Sequence, residues 1–456
     1  MKEIDFLCGH STLLDIIEWS GDEDYIFLKK KGSKVTYDET VLNRMSQVMK
    51  MSASVMAYSD YYEMDSCGKP QLRRTIDYQL GSVRDDFDFG EIICIDSIAI
   101  ESCVFDEDND NKLIEKTFNP RYKYASFYAL RLALSRCGDI IHVSEPLYTV
   151  ESREDATSQF DYVNPRNAEV QKELEQACTF HLKEIEAYIP PVEKRCRFEG
   201  TWDVKASVVI PVKNRVRTIR DAVESALAQV TDFSFNIIVV DNYSTDGTTE
   251  LLQQLSSENN SIVHLIPENT LHGIGGCWNE ALLSPLCGEF VVQLDSDDIY
   301  SDNNVLQRIV DVFMKTHCGM VVGSYTLTDF NKVVIPPGLI AHKEWTAHNG
   351  QNNALRINGF GAPRAFYTPI ARSFLFPDVS YGEDYSMCLN ICSSYRVGRI
   401  YDSLYLCRRW EDNTDASLTH EEVNRHNYYK DQLRTWEIRS RQDTFAAAHW
   451  KMMNNG

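Results

Sequence analysis

The sequence predicts an α/β protein whose C-terminal part is a Rossmann-like, mostly parallel sheet with flanking helices. From residue 206 onward, short β-branched runs alternate with helical patterns, which is typical of parallel strands joined by crossover helices. The chain has 456 residues, more than one domain usually contains. Short strands and helices also alternate in the first 190 residues, so we expect a second α/β domain there.

The predicted strands of the C-terminal part are apolar runs rich in valine and isoleucine, at 207–212, 236–241, 289–294 and 319–323. Helical patterns follow the first three of them, at 219–229, 248–255 and 304–315. Ligands of such sheets bind beyond the carboxyl ends of the strands. Asp241 and the acidic run 295–298 fall at those ends.

Two prolines within 188–197 interrupt the pattern after a helical stretch at 167–188, and we place a domain boundary there. The predicted organisation is a domain over 1–190, a linker over 191–205, a domain over 206–435 and a helical tail over 436–456. Further elements are expected in the first domain, namely strands at 93–100 and 140–143 and helices at 40–51 and 126–136.

The composition excludes several classes of protein. The formal net charge is −21 and the basic residues are scattered, which argues against a nucleic-acid partner. The apolar runs are shorter than the ~18–20 residues of a bilayer-spanning helix, and the N-terminus lacks a signal-peptide pattern. Thirteen cysteines without metal-type CxxC pairs favour buried thiols in a reducing compartment. We expect a cytoplasmic protein; peripheral association with the inner face of the membrane and homodimer formation stay open.

Asp295 and Asp297 lie two positions apart at a strand end and project to the same side. Such a pair can share one Mn²⁺ or Mg²⁺ ion with water and the diphosphate oxygens of a substrate. The alternative is a solvated acidic turn that caps the helix near Asn304. Asp241 can accept a hydrogen bond from a nucleobase or ribose hydroxyl, or else is a turn residue. Asp246, in the same loop, is expected to cap the next helix.

Four segments occur in order, at 207–214, 239–247, 273–279 and 294–298. Together they resemble the family 2 glycosyltransferases of GT-A fold. Farther on, Gly382-Glu383-Asp384-Tyr385 resembles the ED motif of that family, and Arg408-Arg409-Trp410 resembles its basic segment. The resemblance covers about residues 206–435, and ordered motifs are more specific together than any one of them alone.

The resemblance implies a metal-dependent, inverting glycosyltransferase that moves one sugar from a nucleotide-sugar, expected to be a UDP-sugar, to a hydroxyl of a saccharide or lipid-linked glycan. It implies that Asp384 is the catalytic base and that Asp297 is the principal ligand of Mn²⁺ or Mg²⁺, with Asp295 supporting. The donor-binding residues that it implies are Pro211, Asn214, Asp241, Asn279, Asp295 and Arg409.

Four further residues receive accessory roles from the same resemblance. Glu383, a carboxylate beside the base, can raise the pKa of the base towards its working range. Arg408 or Arg409 would stabilise the charge on the leaving diphosphate, and Trp410 belongs to the same segment. His420 would add a metal ligand, as in some relatives, unless it is a surface histidine.

Some residues depart from the family pattern. Asn242-Tyr243 replaces the Asp-Gly that often follows the nucleotide-binding aspartate. Leu406 stands where processive polysaccharide synthases carry Gln, which predicts transfer of a single sugar. The glycines of 273–276 are similar to a dinucleotide fingerprint, but no strand leads directly into them.

The first 190 residues resemble a partial, damaged copy of the same domain. In pattern, 25–31 aligns with 291–297, which places Lys29 and Lys31 at the positions of the metal-binding carboxylates. Lysines repel a divalent cation, and 124–127 contains no acid where a base is expected. We expect a degenerate glycosyltransferase-like domain used in acceptor binding or assembly, or else an unrelated α/β domain.

Two other functions are open at this stage. A nucleotidyltransferase also places paired Asp on such a sheet, but it needs a glycine-rich basic loop after the first strand, which 211–215 offers only faintly. An inactive glycan-binding or scaffold protein is the second. The intact Asp241, Asp295, Asp297 and Asp384 argue against it.

Overall fold

The computed structural model describes residues 1–104, 122–151, 167–268, 271–343, 345–411, 413 and 418–454. The chain forms two compact units. Unit 1 contains Met1–Tyr188, Leu355–Ile357 and the chain from Thr419 onward, and unit 2 contains Ile189–Ala354 and Asn358–Leu418. No helix in the described residues has the length and apolar character needed to span a bilayer.

The strands are numbered in chain order: β1 Lys2–Ile4, β2 Tyr25–Lys30, β3 Val35–Thr36, β4 Met56–Met64, β5 Pro70–Arg73, β6 Ile92–Asp96, β7 Ile140–Glu151, β8 Ala206–Val212, β9 Phe235–Asp241, β10 Ile262–Leu265, β11 Phe290–Gln293, β12 Ile299–Tyr300, β13 Met320–Asp329, β14 Val334–Ile340, β15 Arg364–Tyr367 and β16 Val397–Arg409.

The helices are numbered in the same way: α1 His10–Ser20, α2 Glu39–Ser52, α3 Ser97–Val104, α4 Ser126–Cys137, α5 Ala168–Glu184, α6 Ile219–Leu227, α7 Thr248–Glu258, α8 Ile274–Leu283, α9 Val305–Thr316, α10 Gly350–Asn353, α11 Thr368–Phe374, α12 Glu383–Cys392 and α13 His420–Asn454.

Unit 2 is built on a nine-stranded sheet in the order β10-β9-β8-β11-β15-β13-β16-β12, with β14 beside β13. The first four strands run parallel, as the βα alternation predicts. Strand β15 is antiparallel to both of its neighbours, so the sheet is mixed rather than mostly parallel. The carboxyl ends of β8, β9 and β11 therefore lie side by side at one edge.

The parallel half forms because its strands are buried on both faces. Residues 206–210 of β8 and 236–241 of β9 are all buried. Helix α6 supplies one covering face, because its buried residues recur at helical spacing, namely Ile219, Ala222, Val223 and Ala226.

One predicted element has the wrong type over part of its length. The run 93–100 was expected to be a strand, but β6 ends at Asp96 and helix α3 begins at Ser97. Asp96 Oδ1 accepts the Ala99 N–H at 2.9 Å, which stabilises the first turn of the helix. The apolar residues after Asp96 therefore belong to a helix, although their composition resembles that of a strand.

Helix α13 corrects the predicted end of the second domain. It runs unbroken from His420 to Asn454 and belongs to unit 1, so residue 435 is not a boundary and 436–456 is not a separate tail. The predicted linker belongs to unit 2, where the Cys196 N–H donates to the His317 carbonyl at 2.7 Å. The division after Tyr188 lies close to the predicted boundary.

Unit 1 repeats the strand pattern of unit 2 except for β9 and β10. Its sheet order is β1-β2-β6-β4-β7-β3, with β5 beside β4. In chain order, β1 to β7 correspond to β8, β11, β12, β13, β14, β15 and β16, and each pair of neighbours has the same relative direction.

Strands β9 and β10 have no counterpart in the described residues of unit 1. In unit 2 these strands flank β8, on the side where the nucleotide-binding residues were expected. The topology therefore supports the interpretation of unit 1 as a partial copy that lacks this half.

The strand registers allow the two units to be aligned residue by residue. Tyr61 of β4 pairs with Tyr148 of β7, and in unit 2 Tyr325 of β13 pairs with Tyr405 of β16. In each unit a register shift precedes this tyrosine pair in the same parallel ladder. The two ladders are thus equivalent in detail as well as in order.

Followed across the sheets, this register places Lys30 at the position of Asp295 and Gly32 at the position of Asp297. The predicted placement of Lys29 and Lys31 is therefore wrong by one residue. An apolar pattern shared by two short strands does not fix their register, which is set by pairing with neighbours. Neither equivalent position carries a carboxylate, so the inference that unit 1 lacks the acidic pair stands.

Asp431 anchors α13 within unit 1. Its buried carboxylate lies 3.3 Å from Arg84 Nε and 2.8 Å from Arg434 Nη1, and both arginine side chains are buried as well. Ser82 Oγ donates to Asp431 Oδ2 at 2.9 Å. The helix is therefore held to the rest of the unit by charges that are excluded from water.

We predict that Asp431→Asn lowers the free energy of unfolding by about 3 kcal/mol, because removing one member of a buried charge cluster leaves the others uncompensated. Urea unfolding followed by circular dichroism measures the change. Asp443→Asn, at an exposed position on the same helix, is the control. Equal stability of the two variants would contradict this account of α13.

Candidate active site

The site lies at the edge of unit 2 where three adjacent parallel strands end. Pro211 and Asn214 lie at and just beyond the end of β8, Asp241 ends β9, and Asp295 and Asp297 follow β11. The structure therefore brings the predicted acidic residues of two distant segments to one edge. Asp384 reaches the same region from the first turn of α12, through an arginine of β15.

Asp241 is buried, and its carboxylate is already hydrogen-bonded. Ser244 N–H donates to Oδ1 at 3.0 Å, Thr249 Oγ1 donates to Oδ2 at 2.5 Å, and His264 Nε2 lies 3.4 Å from Oδ2. Burial alone would raise the pKa of Asp241, but the contact with His264 and the hydrogen bonds from Ser244 and Thr249 outweigh it and lower the pKa to about 2. The residue is thus a fixed anion beneath its own loop.

Asn214 connects the loop after β8 to the loop after β9. Its φ of 53° lies in the left-handed region, which asparagine tolerates better than most residues. Its Oδ1 accepts the Thr245 N–H at 2.8 Å, and its own N–H donates to Ser244 Oγ at 2.9 Å. Asp246 accepts the Thr248 N–H at 3.0 Å, one residue before the cap position that Gly247 occupies.

The two departures at 242 and 243 tie the β9 loop to the segment before α8. Asn242 Nδ2 donates to the His272 carbonyl at 2.6 Å, and the His272 N–H donates to Asn242 Oδ1 at 3.1 Å. Tyr243 Oη donates to the Pro267 carbonyl at 2.6 Å from a backbone with φ of 60°. An ionised Asp could not donate to the His272 carbonyl, and a Gly has no side chain to reach the Pro267 carbonyl. These contacts of the loop therefore depend on Asn242 and Tyr243.

The turn after β11 concentrates negative charge. Burial raises the pKa of Asp295, although Gln293 Nε2 donates to its Oδ1 at 2.9 Å. Burial, followed by the charges of Asp297 and Asp295, raises the pKa of Asp298 well above its usual range. Carboxylates that repel one another in this way are stabilised by a divalent cation.

Asp297 faces an aromatic and amide partner. Its Oδ2 lies 3.4 Å from Trp410 Nε1 and 3.2 Å from Asn413 Nδ2, and Arg215 Nε is 3.9 Å away. Within the described residues, no group of three or more His, Cys, Asp or Glu side chains is arranged around a metal position. The hard oxygens of Asp295 and Asp297 fit Mn²⁺ or Mg²⁺ only when a substrate and water complete the coordination.

Asp384 is paired with a buried arginine. Its Oδ2 lies 2.5 Å from Arg364 Nη2, and its side chain remains 28% exposed. Gly382, just before the helix, has φ of 86°, a conformation that glycine adopts without strain. Glu383 is buried beside Asp384, as the motif predicts for its position in the chain.

Known proteins bear on what this site does. Residues 207–370 match the family described as Glycosyl transferase family 2. This region of unit 2 is a family 2 glycosyltransferase domain. The family resemblance inferred from the motifs is thereby confirmed for residues 207–370, and the strand order confirms an α/β sheet.

Curated relatives of this glycosyltransferase domain differ in how much of them the chain covers. The UDP-Glc:alpha-D-GlcNAc-diphosphoundecaprenol beta-1,3-glucosyltransferase WfgD of Escherichia coli is 25% identical over 240 residues, which is 52% of this chain and 85% of WfgD. The GalNAc(5)-diNAcBac-PP-undecaprenol beta-1,3-glucosyltransferase of Campylobacter jejuni is 36% identical over 95 residues, which is 21% of this chain and 30% of that enzyme.

Among solved structures, S. aureus TarS in complex with UDP-GlcNAc is 18% identical, with a TM-score of 0.41 over 54% of this chain and 73% of that chain.

Arg408 has a different place in the glycosyltransferase domain from the one expected. Its side chain is buried, with Nε 2.5 Å from the Asp297 carbonyl and Nη1 2.6 Å from Asp221 Oδ2. Its backbone N–H donates to Asp298 Oδ1 at 2.7 Å. The Arg408 side chain therefore supports the acidic turn from within the domain, whereas its neighbour Arg409 is half-buried.

Two more predicted residues have other partners. Asn279 Nδ2 donates to the Phe376 carbonyl at 2.8 Å and its Oδ1 accepts the Phe376 N–H at 2.9 Å, so both ends of the amide bind backbone rather than face a donor. His420 belongs to unit 1, where its Nε2 lies 2.7 Å from the Arg74 carbonyl. Neither residue is brought to the acidic turn by these contacts.

The glycines of 273–276 have a packing role. A Cβ at Gly275 would lie 1.9 Å from the Pro377 carbonyl oxygen, and one at Gly273 would lie 2.4 Å from the Val379 carbonyl carbon. The start of α8 therefore lies directly against the loop that leads into α12. The resemblance to a dinucleotide fingerprint is explained by this close approach.

Several residues of the site were not found from the sequence. Arg215 and Arg217 are two of them, and their guanidinium carbons lie 5.9 Å and 5.0 Å from the ring centre of Trp410, which the motif had indicated. Arg215 directly follows the motif 207–214, which was the one available signal. Arg364 and Gln293 belong to no recognised motif.

We predict that Arg408→Gln lowers the free energy of unfolding by about 3 kcal/mol, because it removes the buried guanidinium that binds the Asp297 carbonyl and the Asp221 carboxylate. Arg409→Gln, at the adjacent half-buried position, is the matched control and should change stability by less than about 1 kcal/mol. Chemical denaturation measures both. A larger effect of the Arg409 substitution would overturn the assignment of Arg408 as the supporting residue.

Proposed function

We propose that the C-terminal unit is an inverting glycosyltransferase that transfers one sugar from a UDP-sugar to a hydroxyl of a saccharide or lipid-linked glycan. The observation that carries this proposal is the convergence of Asp295, Asp297 and Asp384 at the carboxyl edge of the parallel strands, in a domain whose family is known. The relatives from E. coli and C. jejuni are by name glucosyltransferases of undecaprenol-linked substrates, which supports a lipid-linked acceptor.

The donor is assigned to the edge formed by β8 and β9. Asp241 is the candidate contact for the nucleoside, because its Oδ1 accepts the Ser244 N–H and retains the capacity to accept a second hydrogen bond. Pro211 and Asn214 shape the adjacent loop, and Arg409 and Arg215 add positive charge near the expected diphosphate.

Asp297 and Asp295 are the residues that would hold Mn²⁺ or Mg²⁺. Such an ion, when bound, neutralises the charge that develops on the leaving diphosphate. Asp295 is held in place by the Gln293 amide and by the Tyr405 hydroxyl, which accepts its backbone N–H at 2.9 Å. The protein thus presents two partly buried carboxylates.

Asp384 is the proposed general base. It accepts the proton of the acceptor hydroxyl while the acceptor oxygen bonds to the anomeric carbon and the bond from that carbon to the diphosphate breaks. A single displacement of this kind inverts the anomeric configuration.

Membrane-surface association and dimerisation stay predictions, and no observation favours a nucleotidyltransferase or an inactive scaffold over this function.

We predict that Asp297→Asn weakens UDP binding in the presence of Mn²⁺ by more than about tenfold, because one ligand charge is lost at the metal. Isothermal titration calorimetry with UDP and Mn²⁺ measures the affinity. Asp311→Asn is the control, since Asp311 lies on α9 and contacts Gln307. UDP binding that is the same for both variants, or the same in EDTA as in Mn²⁺, would remove Asp297 from the metal site.

We predict that Asp384→Asn reduces sugar transfer and UDP-sugar hydrolysis by roughly 10²–10⁴-fold, the usual contribution of a general base, with little change in UDP affinity. A panel of UDP-sugars assayed for UDP release identifies the donor, and NMR of the product gives its anomeric configuration. Asp402→Asn, at an exposed position of β16, is the control. Near-normal turnover of the Asp384 variant, or a retained anomer, would sink this mechanism.

A further inference from the structure

Arg364 is placed to act on two site residues at once. It begins β15, and its guanidinium is largely buried. One of its terminal nitrogens, Nη2, lies 2.5 Å from Asp384 Oδ2. The other, Nη1, donates to Gln293 Oε1 at 2.9 Å.

Gln293 passes this contact on to the acidic turn. Its Oε1 accepts hydrogen bonds from Arg364 Nη1 and from the Arg364 backbone N–H, the latter at 3.1 Å. Because both partners on that side are donors, the oxygen must face Arg364 and the NH₂ group must face Asp295. Gln293 Nε2 accordingly donates to Asp295 Oδ1 at 2.9 Å.

We propose that Arg364 is a positioning residue for sugar transfer, which fixes the Asp384 carboxylate relative to Asp295 through the bridging amide of Gln293. This inference rests on the proposed function, because it takes Asp384 as the base and Asp295 as a residue of the metal site. It adds that the geometry between them is set by one continuous chain of hydrogen bonds.

The chemistry of the two side chains suits this task. A guanidinium presents several donors in a rigid plane and can bind a carboxylate and an amide oxygen together, whereas a lysine ammonium is a point charge that cannot reproduce that geometry. Burial alone lowers the pKa of Arg364, but the charge of Asp384 outweighs burial and raises it, so the arginine stays charged. An ionised Asp384 is the form that a general base requires.

Misplacement of a base by a fraction of an ångström slows a reaction without loss of substrate affinity, which gives the expected effect. Arg364→Gln should reduce kcat for UDP-sugar hydrolysis by about 10–100-fold and leave UDP affinity in Mn²⁺ within about threefold of the native value. Arg364→Lys keeps the charge but loses the bridge, so it should also be slowed. Added guanidinium ion should restore part of the activity of Arg364→Ala.

Gln293→Met tests the other half of the chain, since it preserves length while removing the hydrogen bonds to Arg364 and Asp295. Its kcat should fall by about tenfold. Arg372→Gln is the matched control, because the Arg372 guanidinium binds the Leu282 carbonyl at 2.7 Å and no site carboxylate. Thermal unfolding of every variant accompanies the kinetics, and Arg364→Lys carries the test if Arg364→Gln does not fold.

The outcomes separate this inference from the function on which it rests. If Asp384→Asn is inactive while Arg364→Gln and Arg364→Lys keep native kcat, the positioning role is wrong and the base assignment stands. If Arg364 variants lose UDP affinity in step with kcat, or lose no more than Arg372→Gln, a structural role is indicated and the inference is overturned. If Asp384→Asn is active, the proposed function fails first.

Discussion

Negative charge packed into one short turn is the constraint on which the architecture of unit 2 depends. Asp295, Asp297 and Asp298 follow a single strand, and desolvation raises the pKa values of Asp295 and Asp298 because their charged forms are costly there. Arginines from separate elements hold this turn in place. The Arg408 guanidinium of β16 binds the Asp297 carbonyl, and Arg364 of β15 binds Gln293, which donates to Asp295.

The mixed sheet is what brings those arginines to the turn. Strand β15 runs antiparallel beside β11, so its first residue, and not its last, lies at the carboxyl edge. That first residue is Arg364. A fully parallel sheet would have directed the start of this strand to the opposite edge, away from the carboxylates that need a cation.

Site residues whose position follows from local pattern could be predicted from the sequence. Asp241, Asp295 and Asp297 end strands that apolar runs predict, and the carboxyl ends of parallel strands meet at one edge. Arg364 and Gln293 could not be found in this way, because their contact depends on an antiparallel pairing between segments that are distant in the chain. For Asn279, the motif gives the position in the chain but not the partners of the side chain, which are the backbone groups of Phe376.

The domain organisation could also be predicted only where it follows from local pattern. The repeat in unit 1 could be predicted from its sequence pattern. Its register could not, because the equivalence of Lys30 and Asp295 follows only from the strand pairings. The extent of unit 1 also depended on long-range contacts, because α13 returns to it through Asp431, far along the chain. Local composition does not indicate that a distant segment of the chain packs into unit 1.

Two units with one strand order create a hazard while the chain folds. A nascent or refolding chain offers two sets of strands that can accept the same neighbours, and exchange between similar units is a known route to misassembly. The equivalent strands β2 and β11 differ in charge where they end, with lysine in one and aspartate in the other. A β11 misplaced into the β2 position would set its acidic turn beside Glu91, the partner of Lys30, without the contacts of Arg408 and Arg364. Charge divergence between the copies thus discriminates against the wrong partner, in addition to whatever it does in the finished protein.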